Sequence, residues 1–178
     1  MLGHSAGMRA PLAALLALVA GCAPAPPRVA PPPPPRVVVA PLPAPVPVAA
    51  DWREWPVTPG LWRYNRDQRG SVAMFGQIGA DALAVLRCDR QGGRVFLSVA
   101  GSNPQPLTVR TSSTARTLAL GATGGVPPYL AATLPPSDPL LDAIAFSRGK
   151  VALSLPGAPA LVLPAWAEIG RVVEDCRA

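Results

Sequence analysis

From residue 51 onward, apolar residues come in short runs that alternate with polar ones and break at Gly, Asn, Asp or Pro. A two-residue period puts successive side chains on opposite faces of an extended backbone, so such runs predict half-buried strands. The candidates are GLWRYNR (60–66), SVAMFGQ (71–77), ALAVLRC (82–88), RVFLSVA (94–100), LTVRTS (107–112), ARTLAL (115–120), YLAATL (129–134), KVALSL (150–155) and ALVLP (160–164). Between them, stretches such as DRQGGR and PGAP carry the residues that tight connections require. Twice the period changes to that of a helix. In SDPLLDAIAFSRG, Asp138 suits an N-cap, Pro139 the first helical position and Gly149 the stop. A second helix is predicted from Pro164, with Ala165, Ile169, Val172, Val173 and Cys176 on one face and Glu168, Arg171, Glu174 and Asp175 covering the rest. The expected fold is mainly β, a β-sandwich or partly open barrel, with two short helices near the C-terminus; α+β is the alternative label.

The pattern before residue 51 is different. Residues 10–20, APLAALLALVA, form an apolar run behind Arg9. As a helix it would rise only about 16 Å, against a hydrocarbon core of roughly 30 Å, so it reads as a signal-peptide core rather than a span. From Pro24 to Ala50 there is no aromatic residue and no charge beyond Arg28 and Arg36, and proline dominates. Such a tract cannot build a core. It favours extended polyproline II and is expected to act as a semi-rigid stalk reaching on the order of 80 Å. The expected organisation is a leader (1–21), a modified cysteine with a proline-rich linker (22–50) and one β-rich domain (51–178).

The junction Val19-Ala20-Gly21-Cys22 resembles the lipobox of bacterial lipoproteins, with valine where leucine is usual. The resemblance implies cleavage before Cys22 and a diacylglyceryl group on its thiol, so that the membrane is reached through a lipid anchor. Buried acyl chains contribute about 0.8 kcal/mol per methylene, and several chains together hold firmly. Ala23 follows the cysteine, and no aspartate occupies that place. The resemblance therefore implies the outer membrane, facing the periplasm. There Cys88 and Cys176, the two cysteines besides Cys22, are expected to form a disulfide.

Chemistry is constrained by what the domain lacks. The only histidine, His4, lies in the expected leader, so Ser-His and Cys-His nucleophiles and the commonest zinc ligands are missing from the domain. GATGG (121–125) lacks the strand-to-helix setting of a dinucleotide loop and reads as a plain turn before Pro127 and Pro128. Glu174 and Asp175, near Arg171 and Arg177, read as a solvated helix face. No enzyme activity, cofactor or metal is expected. Of the 16 basic residues all but Lys150 are arginine, and formal net charge is +6. The arginines are dispersed rather than striped, so nucleic acid is not an expected partner. One cluster invites a binding role: in DWREWPVTPGLWRY, Trp52, Trp55, Trp62 and Tyr64 accompany Arg53 and Arg63, a set suited to stacking on sugars or peptides. The same rings could instead pin the first strand to the core. Trp166 is expected to pack.

The segment LLDAIAFSRGKVALSLPGAPALVLPAWAEIGRVVEDC (140–176) gives helix, turn, two strands and helix in an order that resembles the invasion-associated locus B family of alphaproteobacterial envelope proteins. That resemblance implies a β-rich sandwich. The first half of the domain, with a single cysteine, departs from the family's cysteine-richer pattern. The functional expectation is a non-catalytic envelope lipoprotein that binds or scaffolds an envelope protein or peptidoglycan. The alternatives are an inhibitor of a lytic enzyme or protease, and a histidine-free cell-wall glycan hydrolase.

Overall fold

A computed structural model describes residues 51–178, which belong to one compact unit. The expected signal peptide, Cys22 and the proline-rich linker lie outside the described residues. The chain enters through a single 3-10 turn, Trp52–Glu54, which Asp51 caps by accepting from the Arg53 backbone N–H at 3.0 Å.

Two antiparallel sheets follow, neither of them closed. The larger has the order β1-β2-β3-β4-β8-β7, from β1 (Leu61–Asp67), β2 (Gly70–Gly76), β3 (Ala84–Asp89), β4 (Arg94–Ala100), β8 (Tyr129–Leu134) and the two-residue β7 (Gly121–Ala122). The smaller has the order β10-β9-β5-β6, from β5 (Leu107–Arg110), β6 (Ala115–Leu118), β9 (Lys150–Ser154) and β10 (Leu161–Pro164). Register explains the core. Trp62 lies opposite Phe75, Phe75 opposite Ala84, Ala84 opposite Val99 and Val99 opposite Leu130, so one face of the large sheet is apolar across five strands. The next row inward runs Tyr64, Ala73, Leu86, Leu97 and Ala132. Against this face pack Leu107 and Val109 of β5, Val151 and Leu153 of β9, Leu163 of β10, and the helices α1 (Pro139–Ala145) and α2 (Ala167–Arg177). The architecture is a β-sandwich whose second layer is part sheet and part helix.

Local chemistry sets the helix ends. Asp138 caps α1 by accepting from the Leu140 N–H at 2.9 Å, with Pro139 in the first turn. The helix stops at Ala145 rather than running to Gly149. Ser147 draws the chain aside: its hydroxyl donates to the Lys150 carbonyl at 2.6 Å and accepts from the Ser112 N–H at 3.0 Å. Gly149, at φ +80°, then supplies the left-handed residue that leads into β9. The second helix begins at Ala167, not Pro164. Pro164 is still in β10, paired with Lys150, and its carbonyl accepts from the Trp62 indole. Ile169, Val172 and Val173 are the buried face of α2, in agreement with the periodicity. GATGG is not only a turn, because Gly121 and Ala122 pair with Ala131 and Leu130 as β7.

Candidate functional site

An antiparallel sheet with one solvated face ordinarily turns polar residues outward. Here the outward positions of adjacent strands include Val72 and Met74 on β2, Val85 on β3, Phe96 on β4 and Ala131 on β8. Val72 is 4 % exposed although it faces away from the core row. Together with the β1–β2 turn and β7, this face forms a trough of about 500 Å³ lined by Val85, Phe96, Ser98, Tyr129, Arg69 and Arg87, among others. That volume lies in the range of small-ligand sites.

One arginine comes from a strand and the other from a turn. Arg87 sits on β3 in register between Val72 and Phe96 and reaches the Asp67 carboxylate at 2.7 Å. Arg69, in the β1–β2 turn, reaches Asp89 at 2.9 Å. Each aspartate is anchored by backbone donors as well: Asp67 accepts from the N–H groups of Arg69 and Gly70, and Asp89 from that of Gly92. Gly70 is obligatory in this turn, because a Cβ there would lie 2.6 Å from the Cys88 carbonyl at φ +142°. The bond from Arg87 holds the Asp67 carboxyl below its usual range, and the bond from Arg69 does the same for Asp89. A guanidinium has five N–H donors, so each arginine keeps donors for a ligand carboxylate after pairing. Tyr129 forms the opposite wall. Burial and the nearby Asp81 push its phenol up, so it stays neutral and donates to the Ala82 carbonyl at 2.7 Å.

The aromatic cluster of the sequence is dispersed to three places. Trp62 is a core residue rather than a ligand-facing one: it is 7 % exposed, its ring centroid lies 5.3 Å from that of Phe75, and its Nε1 donates to the Pro164 carbonyl at 2.8 Å. Tyr64 also turns inward, donating to the Asp175 carboxylate and accepting from Arg66 Nε at 2.7 Å. Trp52 and Trp55, half-buried, lie in the entering segment, where the Arg53 guanidinium covers the Trp52 ring at 5.2 Å and Lys150 Nζ donates to the Trp55 carbonyl at 2.8 Å. The same segment covers the free edge of β10, through Thr58 N–H to the Val162 carbonyl and Val162 N–H to Thr58 Oγ1, both at 2.9 Å. Arg63 alone of the cluster lies on the trough's face of the sheet, opposite Met74 and without an ion-pair partner among the described residues.

Asp175 is not part of a solvated face. Its side chain is 12 % exposed and also accepts from Arg66 Nη2 at 2.5 Å, while Arg90 donates to its backbone carbonyl at 3.0 Å. One residue on, Cys176 meets the fully buried Cys88 as a disulfide-compatible pair with Cα atoms 5.3 Å apart. Trp166 does not pack inward: it is 43 % exposed.

Among the described residues no group of three or more His, Cys, Asp or Glu side chains could hold a metal ion, and no helix is long and apolar enough to cross a membrane. Comparison with protein-family models, with curated proteins and with solved structures returns no significant match. Sequence reading missed Phe96, Arg87, Arg69 and Tyr129. The available signal was that SVAMFGQ and RVFLSVA are apolar at both alternations, which a sheet with one solvated face does not need.

Proposed function

We propose that this chain is a non-catalytic lipoprotein of the bacterial envelope, acylated at Cys22 and facing the periplasm from the outer membrane. Its stapled domain uses the outer face of the large sheet to hold the short, carboxylate-bearing peptides of peptidoglycan. The observation that carries the binding role is the trough itself, where an apolar floor of Val85 and Phe96 meets a rim holding Arg69 and Arg87. Apolar surface removed from water contributes about 25 cal/mol per Å², and a charge-assisted pair with a carboxylate supplies orientation. Arg63 adds unpaired positive charge on the same face. The anchoring part of the reading rests on the Val19–Cys22 sequence, and the absence of catalysis on a domain without histidine.

The test is retention of the full-length protein, solubilised in mild detergent, on purified peptidoglycan sacculi. Wild type is expected to be retained and to elute as salt rises, since a solvated charge contact is screened. Phe96→Ala with Arg87→Ala should abolish retention while the domain stays folded by circular dichroism. Retention unchanged in that variant, or no retention of wild type at low salt, overturns the reading.

A further inference from the structure

The two layers of the sandwich part at one end. Register brings the start of β1, the end of β2, the start of β3, the end of β4 and the start of β8 to that end, with Leu61 opposite Gly76, Ala84 opposite Val99 and Ala100 opposite Tyr129. Between Leu83 and Val99 on the large-sheet side and Leu107, Leu153, Leu155 and Leu161 on the small-sheet side lies a recess of about 130 Å³. Every residue that lines it is apolar. Val99, Leu107 and Leu153 are buried at its floor, and Leu83, Leu155 and Leu161 are half-buried at its mouth. Leu153 also borders a gap of about 10 Å³ one register row further in, beside Leu86 and Leu97, so the seam is incompletely filled from the mouth inward. Voids of comparable size with purely apolar walls stay dry and take up hydrocarbon.

The rim repeats this chemistry. The connections 77–83, 101–106, 123–128 and 155–160 gather at that end, where the Gly101 N–H donates to the Pro128 carbonyl at 3.1 Å. Between them they hold one charged residue, Asp81, and six prolines, which have no N–H to strip of water. Ile78 and Val126 project from them, 79 % and 99 % exposed. The opposite end of the same sheet is built otherwise, with Asp67, Arg69, Asp89 and Arg90 at its turns. A peptide entering the recess would press backbone amides, and a sugar its hydroxyls, against side chains that offer neither donor nor acceptor. A hydrocarbon chain brings no such groups. The rim's single charge is negative, so an ethanolamine phospholipid suits it. A free fatty acid would bring a second negative charge to connections that hold no cation.

We infer that this recess takes the end of an acyl chain from a membrane phospholipid, with the apolar tips around its mouth against the bilayer surface. The recess lies between the sheets and the trough on the outer face of one of them, so the inference depends neither on the ligand-binding reading nor on Cys22.

The decisive experiment is photolabelling of the full-length chain on vesicles of phosphatidylethanolamine and phosphatidylglycerol. The vesicles are doped with phosphatidylethanolamine that carries a diazirine near the methyl end of one chain, and the sites of insertion are mapped by mass spectrometry. Wild type is expected to be labelled at Leu83 and within 153–161. Ala158→Phe fills the recess from an exposed turn position, and Leu155→Lys sets an ammonium at its mouth. Each should lower that labelling at least about fivefold while circular dichroism shows the native fold. Free palmitic acid with the same diazirine should label these positions less than the phospholipid does. Labelling confined to Ile78 and Val126, labelling that persists in both folded variants, or stronger labelling by the free acid would each overturn the inference.

Discussion

Arg116 and Asp138 form a two-pronged ion pair, with Nη1 to Oδ1 at 2.7 Å and Nη2 to Oδ2 at 2.8 Å. It joins β6, an edge strand of the small sheet, to the residue that caps α1, and the Asp138 side chain is only 10 % exposed. One carboxylate therefore does two things, ending the helix and fastening it to the sheet. Asp138→Ala loses the cap and the pair together and should cost about 2–4 kcal/mol in urea unfolding. Arg116→Ala keeps the cap and should cost about half as much. Equal losses for the two variants would show that the cap contributes nothing.

Trp62 and the entering tryptophans separate core from surface. Trp62→Ala opens a cavity beside Phe75 and leaves the Pro164 carbonyl without its indole donor. A loss of about 3–5 kcal/mol is expected, a large share of the roughly 5–15 kcal/mol by which domains of this size are stable. Trp52→Ala removes a half-buried ring with a single cation–π partner and should cost about 1 kcal/mol or less. Thermal melts of the two variants check the contrast.

Cys88 and Cys176 are 88 positions apart, so a bond between them closes a long loop. Protein isolated without reductant should gain about 2 Da on reduction, and Cys88 and Cys176 should label with a thiol reagent only after unfolding with reductant. Cys176→Ser should cost about 2–5 kcal/mol. Rapid labelling of native protein at both positions would show free thiols.

Acid should unfold the domain and mild base should not. Bonds from Arg116 hold the Asp138 carboxyl below its usual range, against a smaller opposing effect of burial. Arg87, Arg69 and Arg177 do the same for Asp67, Asp89 and Asp142. At Asp175 burial acts upward most strongly, and the bonds from Tyr64 and Arg66 outweigh it. A lowered folded value means that the unfolded chain binds protons more readily, so stability is full above the unfolded value of about 3.9 and is lost as pH falls through the folded values. With no histidine in 51–178, the melting temperature should be level between about pH 5 and 8 and drop below about pH 4. A midpoint of acid destabilisation near pH 6 would contradict this.

The strands were legible where alternation and punctuation agree. RVFLSVA and YLAATL coincide with β4 and β8, because each has apolar residues at every second position and turn residues on both flanks. β7 was not legible, since Gly121 and Ala122 carry almost no side-chain pattern and owe their pairing to β8. The start of α2 was misread because Pro164 suits a helix start as well as a strand end, and the hydrogen bond from Trp62, 102 positions away, decides between them. The trough was hidden for a related reason. Arg87 and Phe96 become neighbours only through the register of β3 with β4, which no local motif announces. Proximity in sequence was equally misleading for Trp62 and Arg63, which a strand sends to opposite faces.

In the proposed function, a lipid on Cys22 places this arginine-rimmed domain in the envelope. Metabolic labelling with an alkyne fatty acid, read on wild type and on Cys22→Ser, tests it most directly. Wild type should carry the label and sediment with the outer membrane, and Cys22→Ser should lose both the label and the membrane. An unlabelled wild type, or a Cys22→Ser variant that fractionates with the outer membrane as before, would show that no lipid on Cys22 holds the protein there.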